Sequence, residues 1–220
     1  MSVIIAGTGT NVGKTMVSAA IMARYATERK IHYLKPVQTG GESDTKTVLS
    51  LSGTAPERAL PEFARFSLAA SPHLAAESAG QAIDYEKLLR YVAEHSSANP
   101  TVVELAGGLM VPLTRYQTNL DLARDLALPV ILVAHTSLGT INHTVLSFMA
   151  MRQAGALCAG VIFFGPDNAL YADNRRCVAE MTGASILGEL LTAEGELLTA
   201  QSLQQKARHF DREGMLGKYL

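Results

Sequence analysis

The sequence is poor in cysteine, in excess charge and in long apolar runs, and each shortage removes a class of protein. Its 220 residues include only two cysteines, Cys158 and Cys177. Two thiols cannot build a disulfide framework, and these lack metal-ligand spacing, so both are expected to be reduced in a cytoplasmic protein. Lys and Arg number 19 against 20 Asp and Glu, a net charge of −1. That balance argues against a surface dedicated to nucleic acid or to an anionic membrane. The longest apolar stretch, near residues 126–134, falls far short of the ~20 residues a membrane span requires. Residues 1–6 lead straight into an apolar run with no basic segment before it, which is not the pattern of a secretory signal. What is present is 48% apolar and 18% charged residues, the composition of a folded chain rather than a disordered one. One domain, 1–220, is the expectation for this length.

Short β-branched apolar runs at 3–6, 31–34, 101–105, 129–134, 159–164 and 185–188 predict strands. Helices are predicted between them at 14–28, 44–51, 85–95, 120–126, 140–154 and 169–182. The strand runs are apolar almost throughout, as required where helices cover both faces of a parallel sheet. The alternation predicts an α/β fold with an open, mostly parallel sheet. Residues 53–81, broken by Pro56, Pro61 and Pro72, are predicted as loops and short helices. Residues 191–220 are expected to be partly helical and to pack on one sheet edge.

The strongest motif is Gly7-Thr8-Gly9-Thr10-Asn11-Val12-Gly13-Lys14-Thr15, which follows a predicted strand and opens a predicted helix. Glycines let successive backbone N–H groups turn inward around phosphate oxygens. The helix N-terminus adds unpaired donors and partial positive charge. Lys14 is placed to reach the β- and γ-phosphates and Thr15 to ligate Mg²⁺. The usual spacing puts the first glycine at position 8, where Thr8 stands. Gly7 is one residue early, so the loop is a lengthened variant. Residues Gly9, Thr10, Asn11, Val12, Gly13, Lys14 and Thr15 are therefore the predicted nucleotide-binding set, in a P-loop NTPase fold. A glycine-rich turn that merely contains Gly-Lys-Thr is the structural alternative.

Lys35 closes the second predicted strand, at the carboxyl edge where open α/β sheets bind ligands; a solvated lysine at a strand end is the plain alternative. Glu104 ends the third, very apolar strand, where a carboxylate is expensive to bury unless it is paired or binds a cation. Mg²⁺ takes one or two carboxylates with phosphates, waters and the loop threonine. Thr15, Asp44 and Glu104 are the predicted metal ligands. Asp44 also suits the first turn of a helix, where the dipole favours it. Gly139-Thr140-Ile141-Asn142-His143 opens another helix and is a second candidate anion site. His135 and His143 lack metal-ligand spacing.

In this order, the lengthened loop, Leu34-Lys35-Pro36-Val37-Gln38-Thr39-Gly40, Ser43-Asp44, Ser71-Pro72-His73, Val103 to Leu113 and Leu138 to His143 resemble the dethiobiotin synthetase family. The resemblance spans roughly the first two-thirds of the chain. It implies a homodimer that closes a ureido ring on 7,8-diaminononanoate with CO₂, ATP and Mg²⁺, with the active site at the interface. Lys35, Lys14 and Thr10 are then the catalytic residues. Thr39, Lys35, Ala106, Gly107, Thr140 and Asn142 are the substrate-binding residues. The Thr140–Asn142 helix start of one subunit would receive the substrate carboxylate bound mainly by the other.

Two departures stand out. Family members often carry Glu-Gly-Ala-Gly-Gly where this chain has Glu104-Leu105-Ala106-Gly107-Gly108. Many also have Asn-Asp after the fifth strand, where an amide reads adenine; here Phe163-Phe164-Gly165-Pro166 stands. Base recognition by an Asn side chain is expected to be lost or replaced by backbone groups. The rival reading is a nucleotide-switch ATPase of the partitioning or division-regulator type. Such proteins carry an extra lysine early in the loop, which Thr8 and Gly9 do not provide. A related amide-forming ligase acting on a different acid is a third reading.

Overall fold

Residue parity along the central strands explains the layered architecture of the computed structural model, which describes residues 1–211 and 213–220. In β1 (Val3–Gly7), Ile4 and Ala6 face one apolar cluster while Val3 and Ile5 face another. In β6 (Val130–His135), Val130, Leu132 and Ala134 join the first cluster, and Ile131 and Val133 the second. Successive side chains leave a strand on opposite faces, so a strand covered on both sides must be apolar at every position.

The remaining strands of the main sheet are β2 (His32–Leu34), β5 (Thr101–Gly108), β7 (Cys158–Pro166) and β8 (Ile186–Thr192). Their order is β2-β5-β1-β6-β7-β8, with every pairing parallel. One face is covered by α1 (Lys14–Arg29), α2 (Asp44–Ser52) and α8 (Ala200–Ala207). The other carries α4 (Tyr85–Ala98), α5 (Asn119–Leu126), α6 (Thr140–Ala154) and α7 (Tyr171–Thr182). The chain leaves β1 toward β2 on one side and later fills the other with β6, so the carboxyl end of β1 is a switch point where such sheets bind ligands.

The stretch 53–81 departs from expectation. Besides the turn Pro56–Arg58 and the helix α3 (Pro72–Ser78), it holds a strand, β4 (Ala64–Phe66), paired in parallel with β3 (Val37–Thr39). Three residues are too few for a periodic signal, and the partner lies far away in sequence. This two-stranded sheet carries the segment that follows Lys35. The tail is partly helical, as expected, but α8 packs on α1 and α2 as well as near the edge. Beyond it, the Glu189 amide of β8 donates to the Phe210 carbonyl at 3.2 Å. Among the described residues, no helix is long and apolar enough to cross a membrane.

Candidate active site

The loop between β1 and α1 is shaped by close approach. A Cβ on Gly7 would lie 2.7 Å from the Gly9 carbonyl and 2.8 Å from Val12. This is why a glycine stands one position early: the lengthened loop folds back over the end of β1. Gly13 holds a left-handed φ of 94° and caps α1 without a side chain, so the N–H groups of the first turn remain available to an anion. Lys14 bends back over the loop and donates to the Gly9 carbonyl at 3.1 Å.

Lys35 and Glu104 meet directly below this loop. Glu104 is fully buried and Lys35 nearly so. The Lys35 ammonium donates to Asp44 Oδ2 at 2.8 Å, to Glu104 Oε1 at 3.0 Å and to the Leu105 carbonyl at 3.5 Å. All three of its protons are engaged. Thr15 Oγ1 stands 3.0 Å from Glu104 Oε1 and 3.2 Å from Asp44 Oδ1, so its single proton serves two carboxylates. Asp44 also opens α2 after the Ser43 cap, as its reading as a first-turn helix carboxylate expects.

Charge explains the protonation of the cluster. Burial, reinforced by the Lys35 charge, depresses the Lys14 pKa to about 8. Burial pulls Lys35 the same way, but Glu104 and Asp44 outweigh it and raise its pKa. Burial disfavours the Asp44 carboxylate, yet Lys35 and the Thr15 hydroxyl hold its pKa below the usual value. Burial and the Glu104 charge push the Tyr33 phenol well up, so it remains a neutral donor.

Thr15, Asp44 and Glu104 offer a hydroxyl and two carboxylates around one point, a hard oxygen set suited to Mg²⁺. Among the described residues, no group of three or more His, Cys, Asp or Glu side chains is placed to hold a metal ion by itself. A metal here therefore needs further oxygens from phosphate and water.

Two cavities flank the loop. One, of about 400 Å³, runs between Thr8–Val12 and the start of α6, lined by His135, Ser137, Leu138, Thr140 and His143. The other, of about 420 Å³, lies between Thr8–Thr10, residues 108–111 and the α6 residues His143, Leu146, Ser147 and Ala150. Thr10 and Thr140 thus line one cavity within the chain. Asn142 is exposed and lines neither cavity. Gly107 has a left-handed φ of 74°, and a Cβ there would come within 3.6 Å of Thr10 Oγ1. Ala106 precedes it in β5, while Thr39 ends β3 opposite Phe66.

The pattern of a family described as an AAA domain matches residues 1–194. The ATP-dependent dethiobiotin synthetase of Nitrobacter hamburgensis is 46% identical over 190 residues, covering 86% of this chain and 84% of that protein. The chain belongs to the dethiobiotin synthetase family. The Leptospira interrogans synthetase is 36% identical, covering 94% of this chain and 93% of its own. A ParA family ATPase from Chlorobium tepidum has a TM-score of 0.62 at 12% identity, covering 98% of each chain. The MinD septum-site protein of Pyrococcus horikoshii scores 0.55 at 14% identity, covering 100% of this chain and 99% of its own. These last two likenesses show a shared fold only.

Relative to the usual synthetase pattern, the ring of Phe164 packs against Gly13, where an added Cβ would meet it at 2.0 Å. The nearby Asn168 is engaged locally, donating to the Pro166 carbonyl and accepting from the Leu170 amide. Sequence reasoning missed three residues. Ser18 and Tyr33 donate to Glu104 Oε2 at 2.7 and 3.0 Å. Buried Asn119 ties down the carbonyls of Ala106 and Gly108 at 2.7 and 3.0 Å. His143, the last residue of the second candidate anion site, lines both cavities. Ser18 is three residues past Thr15 and Tyr33 two before Lys35, spacings that share one helix or strand face.

Proposed function

We propose that the chain carries out dethiobiotin synthesis, joining CO₂ to 7,8-diaminononanoate and closing the ring at the expense of ATP. The convergence of Lys14, Thr15, Lys35, Asp44 and Glu104 at the carboxyl ends of β1, β2 and β5 supports this reading. One substrate amine adds to CO₂, losing a proton and giving a carbamate. A carbamate oxygen attacks the γ-phosphorus of ATP, and ADP leaves. The second amine attacks the resulting carbamic–phosphoric anhydride at its carbonyl carbon. The C–N bond closes the ring as the C–O bond to phosphate breaks, and the amine proton is lost.

The difficulty in this sequence is electrostatic, because an anion must approach a polyanion. Lys14 binds the phosphates, Lys35 stands where carbamate and γ-phosphate meet, and Thr10 faces the same cavity. Thr15, Asp44 and Glu104 would hold Mg²⁺, which supplies positive charge to the phosphate oxygens. The loop amides of residues 9–15 bind and orient the triphosphate. Thr39, Ala106 and Gly107 border the diamine, and ring closure, being intramolecular, gains mainly from alignment. Thr140 of a second copy takes the substrate carboxylate, Asn142 adding to that helix start.

The dimer reading has its own support in the exposed apolar face beside the cavity. Met110, Leu138, Leu146 and Met149 are each more than half exposed, an arrangement that marks an interaction surface. A phosphate-release assay tests the activity. Release should require both the diamine and bicarbonate, whereas hydrolysis indifferent to both would favour a nucleotide switch.

A further inference from the structure

Glu104 accepts four hydrogen bonds, divided cleanly between its two oxygens. Oε1 faces Thr15 and Lys35, the side on which phosphate and metal would sit. Oε2 points away from it and accepts from the Ser18 hydroxyl at 2.7 Å and the Tyr33 phenol at 3.0 Å. Ser18, Tyr33 and Glu104 are all fully buried. The two donors come from different elements, Ser18 from α1 and Tyr33 from β2. Rotating the carboxylate, or turning Oε2 toward a cation, breaks both bonds in a place where no solvent replaces them.

We infer that Ser18 and Tyr33 are positioning residues that hold Glu104 as a one-oxygen ligand and so make the site prefer Mg²⁺ to Ca²⁺. The inference rests on the proposed assignment of Thr15, Asp44 and Glu104 to the metal. Ca²⁺ takes six to eight oxygens in a flexible shell and readily accepts both oxygens of a carboxylate. Mg²⁺ demands a small, regular octahedron and keeps several waters. A carboxylate with one oxygen already spent on two hydroxyl donors suits the second ion and frustrates the first. A purely structural role, solvating a buried carboxylate, would not discriminate between the cations.

The test uses the full chain as wild type, Tyr33→Phe, Ser18→Ala and the double variant. Affinity for a non-hydrolysable ATP analogue is measured without divalent ions and with Mg²⁺ or Ca²⁺, and folding is followed by circular dichroism. Wild type should gain at least about tenfold more affinity from Mg²⁺ than from Ca²⁺. Each single variant should lose several-fold of that preference, with metal-free affinity unchanged. The double variant should bring the two ions close to parity. Should the double variant not fold, the single variants decide, since each keeps one donor. Folded single variants with the wild-type ion ratio would overturn the inference and leave the metal site standing. Wild-type binding indifferent to both ions would overturn the metal assignment and the inference together.

Discussion

Lys35 Nζ lies 3.0 Å from Glu104 Oε1, the same oxygen that faces the Thr15 hydroxyl. The ammonium group and the proposed metal thus draw on one carboxylate oxygen. With Asp44 and Lys14 nearby, two carboxylates balance two ammonium groups at the end of the sheet. A divalent cation added to this balanced cluster makes it positive, which is what a triphosphate and a carbamate require.

Lys35→Ala should abolish ring closure while leaving triphosphate binding within a few-fold of wild type. It also leaves two carboxylates without their ammonium partner, at a cost of about 3 kcal/mol in chemical denaturation. Unchanged turnover in this variant would remove Lys35 from the chemistry.

Lys14 titrates at about 8 in the folded protein, lowered by burial and by Lys35. Its charged form is penalised by folding, so its contribution to stability improves as pH rises from about 8 through the unfolded-state value near 10.4. Triphosphate binding restores the charge. Calorimetry in buffers of different ionisation enthalpy should show uptake of nearly one proton per nucleotide at about pH 9 and little at about pH 7. Lys14→Ala should weaken binding and eliminate the uptake.

Base selectivity should be weak, because Phe164 packs on Gly13 at the position where an amide usually reads adenine. Competition titrations should place the four common nucleoside triphosphates within about tenfold of one another, since apolar contacts discriminate poorly. A preference for ATP of about a thousandfold or more would locate a hydrogen-bonded base reader elsewhere.

Leu146 is exposed on α6 and also lines a cavity beside Thr10. Leu146→Asp should convert the proposed dimer to monomer in light scattering and raise the KM for the diamine more than that for ATP. A wild-type chain that is monomeric at micromolar concentration would contradict the interface.

Asp211 is buried and accepts the Tyr25 phenol and the backbone amides of Met215 and Leu216. Asp211→Ala should cost about 2 kcal/mol in denaturant unfolding, with nucleotide affinity preserved.

The sequence by itself determined the layered fold, the phosphate loop and the two carboxylates. Each is written in local pattern: apolar runs of strand length, glycines before Gly-Lys-Thr, and acidic residues where burial without a partner is costly. Only the tertiary structure decided that Lys35 pairs with both carboxylates, that Ser18 and Tyr33 take the far oxygen of Glu104, and that Thr10 and Thr140 share a cavity. It also revealed the small β3–β4 sheet. The reason is range: these contacts join α1, β2, β5 and α6 across long separations in the chain. Periodicity shows which face a residue occupies, while sheet order alone decides what it meets there.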